Sequence, residues 1–138
     1  MPSNQKIVTQ YARMWPREVF DAMEGKKLLL GDVKDLHHPG VYILYRDDIP
    51  YYVGKTKGRL YSRLHDHANK STDRYFNFWN YFSVFVVPAQ HVDEIEGVLI
   101  ASMPTANSAV PRLRQITLPK NLAKILRQAR RHQLGQSA

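Results

Sequence analysis

The chain contains no cysteine. That excludes disulfides, cysteine-held zinc, iron–sulfur clusters and a thiol nucleophile, so any metal must sit on oxygen or imidazole. No apolar run approaches the roughly 20 residues of a membrane-spanning helix, and no apolar stretch follows the polar start, Met1 to Lys6. A soluble, cytoplasmic protein with no membrane partner is expected. Glycine-rich phosphate loops and serine–histidine–acid motifs are also missing. Acidic residues stop altogether at Glu96: seven of the 20 Lys and Arg residues lie beyond it and none of the 12 acids. Up to Glu96 the balance is 13 basic against 12 acidic residues, so nearly all of the net charge of +8 belongs to the last 42 residues. Such a tail is either a solvated basic face or a grip for a polyanion.

What is present fits one domain, 1–138, since 138 residues with 43% hydrophobic content can bury a core without staples. Val8, Tyr11, Ala12 and Trp15 fall at helical spacing, followed by Pro16, Val19, Phe20, Met23 and Gly25, which predicts one broken helix or two short ones in an N-terminal helical extension, 1–38. His37-His38-Pro39-Gly40 reads as a turn. Val41 to Tyr45 and Tyr51 to Val53 are β-rich and flank Arg46-Asp47-Asp48-Ile49, which predicts a hairpin with Pro50 on an exposed edge.

Arg59 to Lys70 is predicted helical, with Arg59, Arg63 and His67 on one side and Leu60 and Leu64 on another. Tyr81 to Val87 reads as a central or near-central third strand, His91 to Ser102 as a helix stopped by Pro104, and Pro111 to Pro119 as an irregular connector. A last helix, about Lys120 to Gln133, turns Leu122, Ile125, Leu126 and Ala129 inward and Lys120, Lys124, Arg127 and Arg131 to another face. His65 and His67 lie two apart on a helix and point to different sides, which argues against a zinc pair. Tyr75, Phe76, Phe78, Trp79, Tyr81 and Phe82 form an aromatic cluster that is either core or, at an exposed Tyr75 or Trp79, a stacking surface for an unpaired base.

Taken in order, Gly40-Val41-Tyr42, a hairpin turn, Tyr52-Val53-Gly54, a helix with Arg63 and His67, a third strand, a helix with Glu96, and then Pro104 to Asn107 resemble the GIY-YIG nuclease family over residues 39–107. Valine replaces isoleucine in both name motifs, a β-branched exchange that keeps strand propensity. The resemblance implies an α+β fold, a small three-stranded antiparallel sheet flanked by helices, and one divalent ion, Mg²⁺ or Mn²⁺, used to hydrolyse phosphodiester bonds in DNA. It implies a metal-holding carboxylate at Glu96, a general base at Tyr42, a water- or phosphate-orienting phenol at Tyr52 and a phosphate clamp at Arg63. The interval from Tyr52 to Arg63 is one residue longer than the commonest family pattern, which keeps Arg59 as the alternate clamp.

His67 is expected to hold Tyr42 or to share its proton transfer, and Gly54 to support the site. Asn107 either supports it too or caps a turn. Lys55, Lys57, Arg59, Lys120, Lys124, Arg127 and Arg131 are the expected nucleic-acid contacts, the last four on the basic C-terminal helical extension, 108–138. A non-catalytic nucleic-acid-binding module on the same scaffold, and a small restriction-type nuclease reading a palindrome as a dimer, are the competing readings. Monomer and homodimer both remain open.

Overall fold

In the computed structural model, which describes residues 6–76, 78–107 and 113–137, the chain folds as α+β. Strand β1 (Gln10–Pro16) is followed by a two-residue hairpin, β2 (Met23–Glu24) and β3 (Lys27–Leu28), and by short 3₁₀ turns. The main hairpin is β4 (Gly40–Arg46) and β5 (Ile49–Thr56). Helix α1 (Leu60–Asn69), strand β6 (Tyr81–Val86), helix α2 (Val92–Ser102) and helix α3 (Lys120–Ser137) complete the order. The main sheet is antiparallel with order β1-β6-β4-β5, so β6 is central and β5, with Pro50, is an edge as expected.

Four strands replace the expected three because the predicted N-terminal helix is not there: residues 10–16 pair with β6. The reason is a β-bulge. Ala12 sits opposite Val84 and Trp15 opposite Phe82, three residues against two, and Met14 takes up the extra one with φ 54° while its amide donates to Ser83 Oγ at 3.0 Å. The bulge puts Ala12 and Trp15 on the same face, so a bulged strand carries the i, i+3 spacing of a helix. The described part of the expected N-terminal extension, residues 6–38, is therefore strands and short 3₁₀ turns rather than α-helix. Phe20, Leu30 and Leu36 are buried in the same cluster as Tyr42 and complete the core.

Strand β4 is buried on both faces. Tyr42 and Leu44 pack with Leu60, Leu64 and Ala68 of α1 and with Phe82, while Val41, Ile43 and Val53 pack with Val92 of α2. Helix α3 forms where expected, but Leu122, Ile125 and Leu126 are 43%, 59% and 45% exposed rather than turned inward. Residues 111–112, at the start of the predicted connector, lie outside the described residues, as do 108–110.

Both motif glycines are dictated by close approach. A Cβ on Gly40 would run into the Phe85 carbonyl of β6 and the Leu60 side chain, and one on Gly54 would fall within the Tyr42 ring. Tyr42 and Gly54 face each other across the hairpin, so the phenol lies over bare backbone. Gly54→Ala is expected to lower stability by about 1–3 kcal/mol, as overpacking does, and to displace the Tyr42 ring. A denaturation midpoint equal to that of the native chain would contradict this.

Candidate active site

The site is assembled at the β5 edge. Tyr42 projects from β4 and Tyr52 from β5 on the α1 face, their rings 6.3 Å apart. His67, one turn after Arg63 on α1, is buried beneath them. The Tyr42 hydroxyl and His67 Nε2 are 2.8 Å apart, and His67 Nδ1 lies 2.9 Å from Asp73 Oδ1. The Tyr75 amide donates to that same carboxylate oxygen at 2.9 Å. Burial pushes the Asp73 carboxyl up, but the hydrogen bonds from His67 and the Tyr75 amide, with the charges of His67 and Arg63, leave it below its ordinary value. An ionised carboxylate only accepts, so in its neutral form the imidazole carries its proton on Nδ1, and the Tyr42 phenol then donates to the bare Nε2.

Tyr42 is fully buried, and burial, reinforced by Tyr52, holds its phenol well above its ordinary pKa in spite of the opposing charge and hydrogen bond of Arg63. The guanidinium thus reaches the Tyr42 oxygen. Burial and Tyr75 likewise push the Tyr52 phenol up, and Glu96 adds to the shift, which puts that carboxylate within electrostatic reach of Tyr52. Arg59 is engaged elsewhere, its Nη1 lying 3.3 Å from His37 Nδ1. Of the two candidate arginines, Arg63 is the one beside the tyrosines.

Glu96 lies on α2 across the β5 edge, with its side chain 15% exposed. Lys55 of β5 meets it at 3.1 Å and meets Asp93, one turn earlier, at 2.7 Å; Lys57 is 3.8 Å from Asp93. The two lysines expected to meet nucleic acid are therefore ion-paired to α2. Asn107 pairs with both backbone groups of Val53, accepting from its amide at 2.8 Å and donating to its carbonyl at 2.7 Å, and so pins the edge strand. Among the described residues no three His, Cys, Asp or Glu side chains gather into a metal cage. A carboxylate already facing a cation, with no cage around it, suits a hard ion held by one protein ligand together with water and phosphate oxygens, and does not suit zinc.

Sequence reasoning missed Asp73. It follows α1 in an irregular segment with no periodic signal, and only the return of residues 70–76 toward the helix brings it to His67. Of the two aromatic residues considered as stacking surfaces, Trp79 is buried at 2% exposure and Tyr75 lies against Tyr52, ring centroids 4.2 Å apart.

Comparison with known proteins gives a consistent picture. No family model matches the chain. It is 33% identical over 75 residues to "UvrABC system protein C" of Thermotoga sp. (strain RQ2) and, to the same extent, of Thermotoga petrophila; the match takes in 54% of this chain and 11% of those proteins, so the chain spans about a ninth of their length. Among solved structures, the GIY-YIG N-terminal endonuclease domain of UvrC from Thermotoga maritima bound to magnesium is 30% identical, over 50% of this chain and 84% of that domain, with a TM-score of 0.42. A point mutant of the same domain bound to the catalytic divalent cation is also 30% identical, over 83% of that domain, with the same TM-score. The weight lies on the sequence identity across most of that domain.

Proposed function

The chain belongs to the GIY-YIG nuclease family, and from that premise we propose that it is a divalent-metal-dependent endonuclease that hydrolyses phosphodiester bonds in DNA. The observation that carries the reading is the buried Tyr42–His67 pair, with Arg63 on the phenol and Glu96 across the edge strand. A packing tyrosine needs neither a histidine acceptor nor an arginine at its oxygen.

In this reading Tyr42 accepts a proton from the attacking water, Arg63 clamps the scissile phosphate in a bidentate fork, and Tyr52 orients water or phosphate. Glu96 holds one Mg²⁺ or Mn²⁺, with Lys55 as the cation that the metal ion must displace. When bound, that ion supplies Lewis-acid polarisation of the phosphate. Gly54 and Asn107 keep the edge strand and the phenol in place. Lys57, Arg59 and the α3 residues Lys120, Lys124, Arg127 and Arg131 meet backbone phosphates, and the cytoplasm is the compartment that suits such a substrate. Among the described residues no helix is long and apolar enough to cross a membrane.

The role of α3 has its own test. The four basic residues are exposed, so replacing all four by alanine should leave the melting temperature unchanged. DNA binding should weaken and the slope of log affinity against log salt should become shallower, by up to about 0.9 for each phosphate that is no longer neutralised. A slope equal to that of the native chain would remove α3 from the interface.

The decisive assay for the function is cleavage of supercoiled, linear, single-stranded and branched DNA with Mg²⁺ or Mn²⁺ by the native chain, Glu96→Ala and Tyr42→Phe. Cutting lost in both variants supports the endonuclease and reports the DNA it prefers. Binding without cutting on every substrate would favour the non-catalytic module, and cutting confined to one duplex sequence the restriction-type enzyme. Equal cutting by all three proteins would overturn the site.

A further inference from the structure

We infer that Asp73 is a positioning residue that fixes the tautomer of His67, so that His67 takes the proton of Tyr42 as Tyr42 takes the proton of the attacking water. The inference rests on the nuclease reading and extends it to a residue outside the family's motif. Its geometric basis is a chain of two hydrogen bonds, Tyr42 hydroxyl to His67 Nε2 at 2.8 Å and His67 Nδ1 to Asp73 at 2.9 Å.

A fully buried phenol is a poor site for an isolated negative charge. The balanced step avoids one. The O–H bond of Tyr42 breaks toward Nε2 while its oxygen receives a proton from water, the hydroxide attacks phosphorus, and the imidazolium left behind faces the Asp73 carboxylate. The proton on His67 then returns through the same phenol to the leaving oxygen. Asp73 accepts no proton; it keeps Nδ1 protonated and Nε2 bare.

The carboxylate is held by built structure. Its Oδ1 also accepts from the Tyr75 amide, and its side chain is 16% exposed. Arg17, just after β1, ties down the ends of the segment that carries it. The Arg17 guanidinium donates to the Ala68 carbonyl at 2.7 Å and to the Phe76 carbonyl, and lies over the Phe76 and Trp79 rings at 5.1 and 4.9 Å. A surface aspartate capping a turn would need none of this.

The test is Asp73→Ala in the full chain. It removes the oxygen on which the His67 Nδ1 and Tyr75 amide bonds converge, so nothing holds the ring proton on Nδ1 and Nε2–H can donate to the Tyr42 oxygen. Two readouts are needed. Nitrogen-15 shifts of the His67 ring, measured without DNA or metal, should report Nδ1–H in the native chain and Nε2–H in the variant. Single-turnover cleavage should fall by about 10²- to 10⁴-fold with the DNA dissociation constant little changed. Asp73→Glu should recover part of the rate. An Nε2–H ring in the native chain, an unaltered tautomer in the variant, or a native cutting rate in Asp73→Ala would each overturn the inference. If the native chain cuts no DNA, the nuclease reading fails on its own, and the ring shifts still decide whether Asp73 sets the tautomer.

Discussion

Replacing Glu96 by alanine is expected to lower metal-dependent cleavage by about a thousandfold, the several kcal/mol that a bound cation contributes to a phosphoryl transition state. The fold should survive. Glu96 is a helix residue whose salt bridge to Lys55 is shared with Asp93, and at 2.7 Å the Lys55–Asp93 pair remains when Glu96 is gone. Partly exposed pairs of this kind contribute about 1 kcal/mol or less, so the melting temperature should move by only a few degrees. DNA retention without metal should persist, because the Lys and Arg surface is untouched. The experiment is a magnesium titration of cleavage beside a binding isotherm in EDTA. Cutting by Glu96→Ala at the native rate would remove Glu96 from the metal site.

Tyr42→Phe should lose about 10²- to 10⁴-fold in cleavage while keeping its ring packed over Gly54. Deleting the hydroxyl leaves His67 Nε2 without its partner, at a stability cost of about 1–3 kcal/mol. The same substitution has an alkaline signature whose sign follows from linkage. Burial raises the folded-state pKa of Tyr42 above the unfolded value of about 10. The folded chain thus keeps a proton that the unfolded chain gives up as pH rises through 10, so stability is full below that pH and falls above it. Tyr52 and Lys55, also raised, act in the same direction. Between pH 8 and 11 the urea midpoint of the native chain should fall more steeply than that of Tyr42→Phe. Parallel curves would mean that the phenol is not shielded as described.

The motif hairpin was legible because its signals are local. β-branched and aromatic residues flank turn residues, and the register that follows puts Tyr42 opposite Gly54. Helices α1 and α2 were legible for the same reason. The first strand was misread because the bulge at Met14 makes two β residues imitate helical spacing, and nothing in residues 10–16 reveals that their partner is 70 residues away on β6. Apolar spacing located α3 but could not reveal that its apolar side chains stay exposed. Lys55 and Lys57 read as nucleic-acid contacts because their acidic partners on α2 are 36 to 41 positions further along the chain. Asp73 belongs to the same class: its role depends on a loop returning to a helix, a fact of the fold that its neighbours in sequence do not encode.

Strand β5 ends the sheet, and an open edge is a template on which another chain can add a strand. Here the chain supplies its own imitation of a neighbour: the Asn107 amide occupies both backbone groups of Val53, and the Ala106 amide takes the Tyr51 carbonyl at 2.7 Å. Two residues after the α2 region thus do what an extra strand would do, without covering the tyrosines. The rim at which a polyanion would be handled is thereby closed to sheet extension, so one asparagine guards against aggregation and keeps the site open.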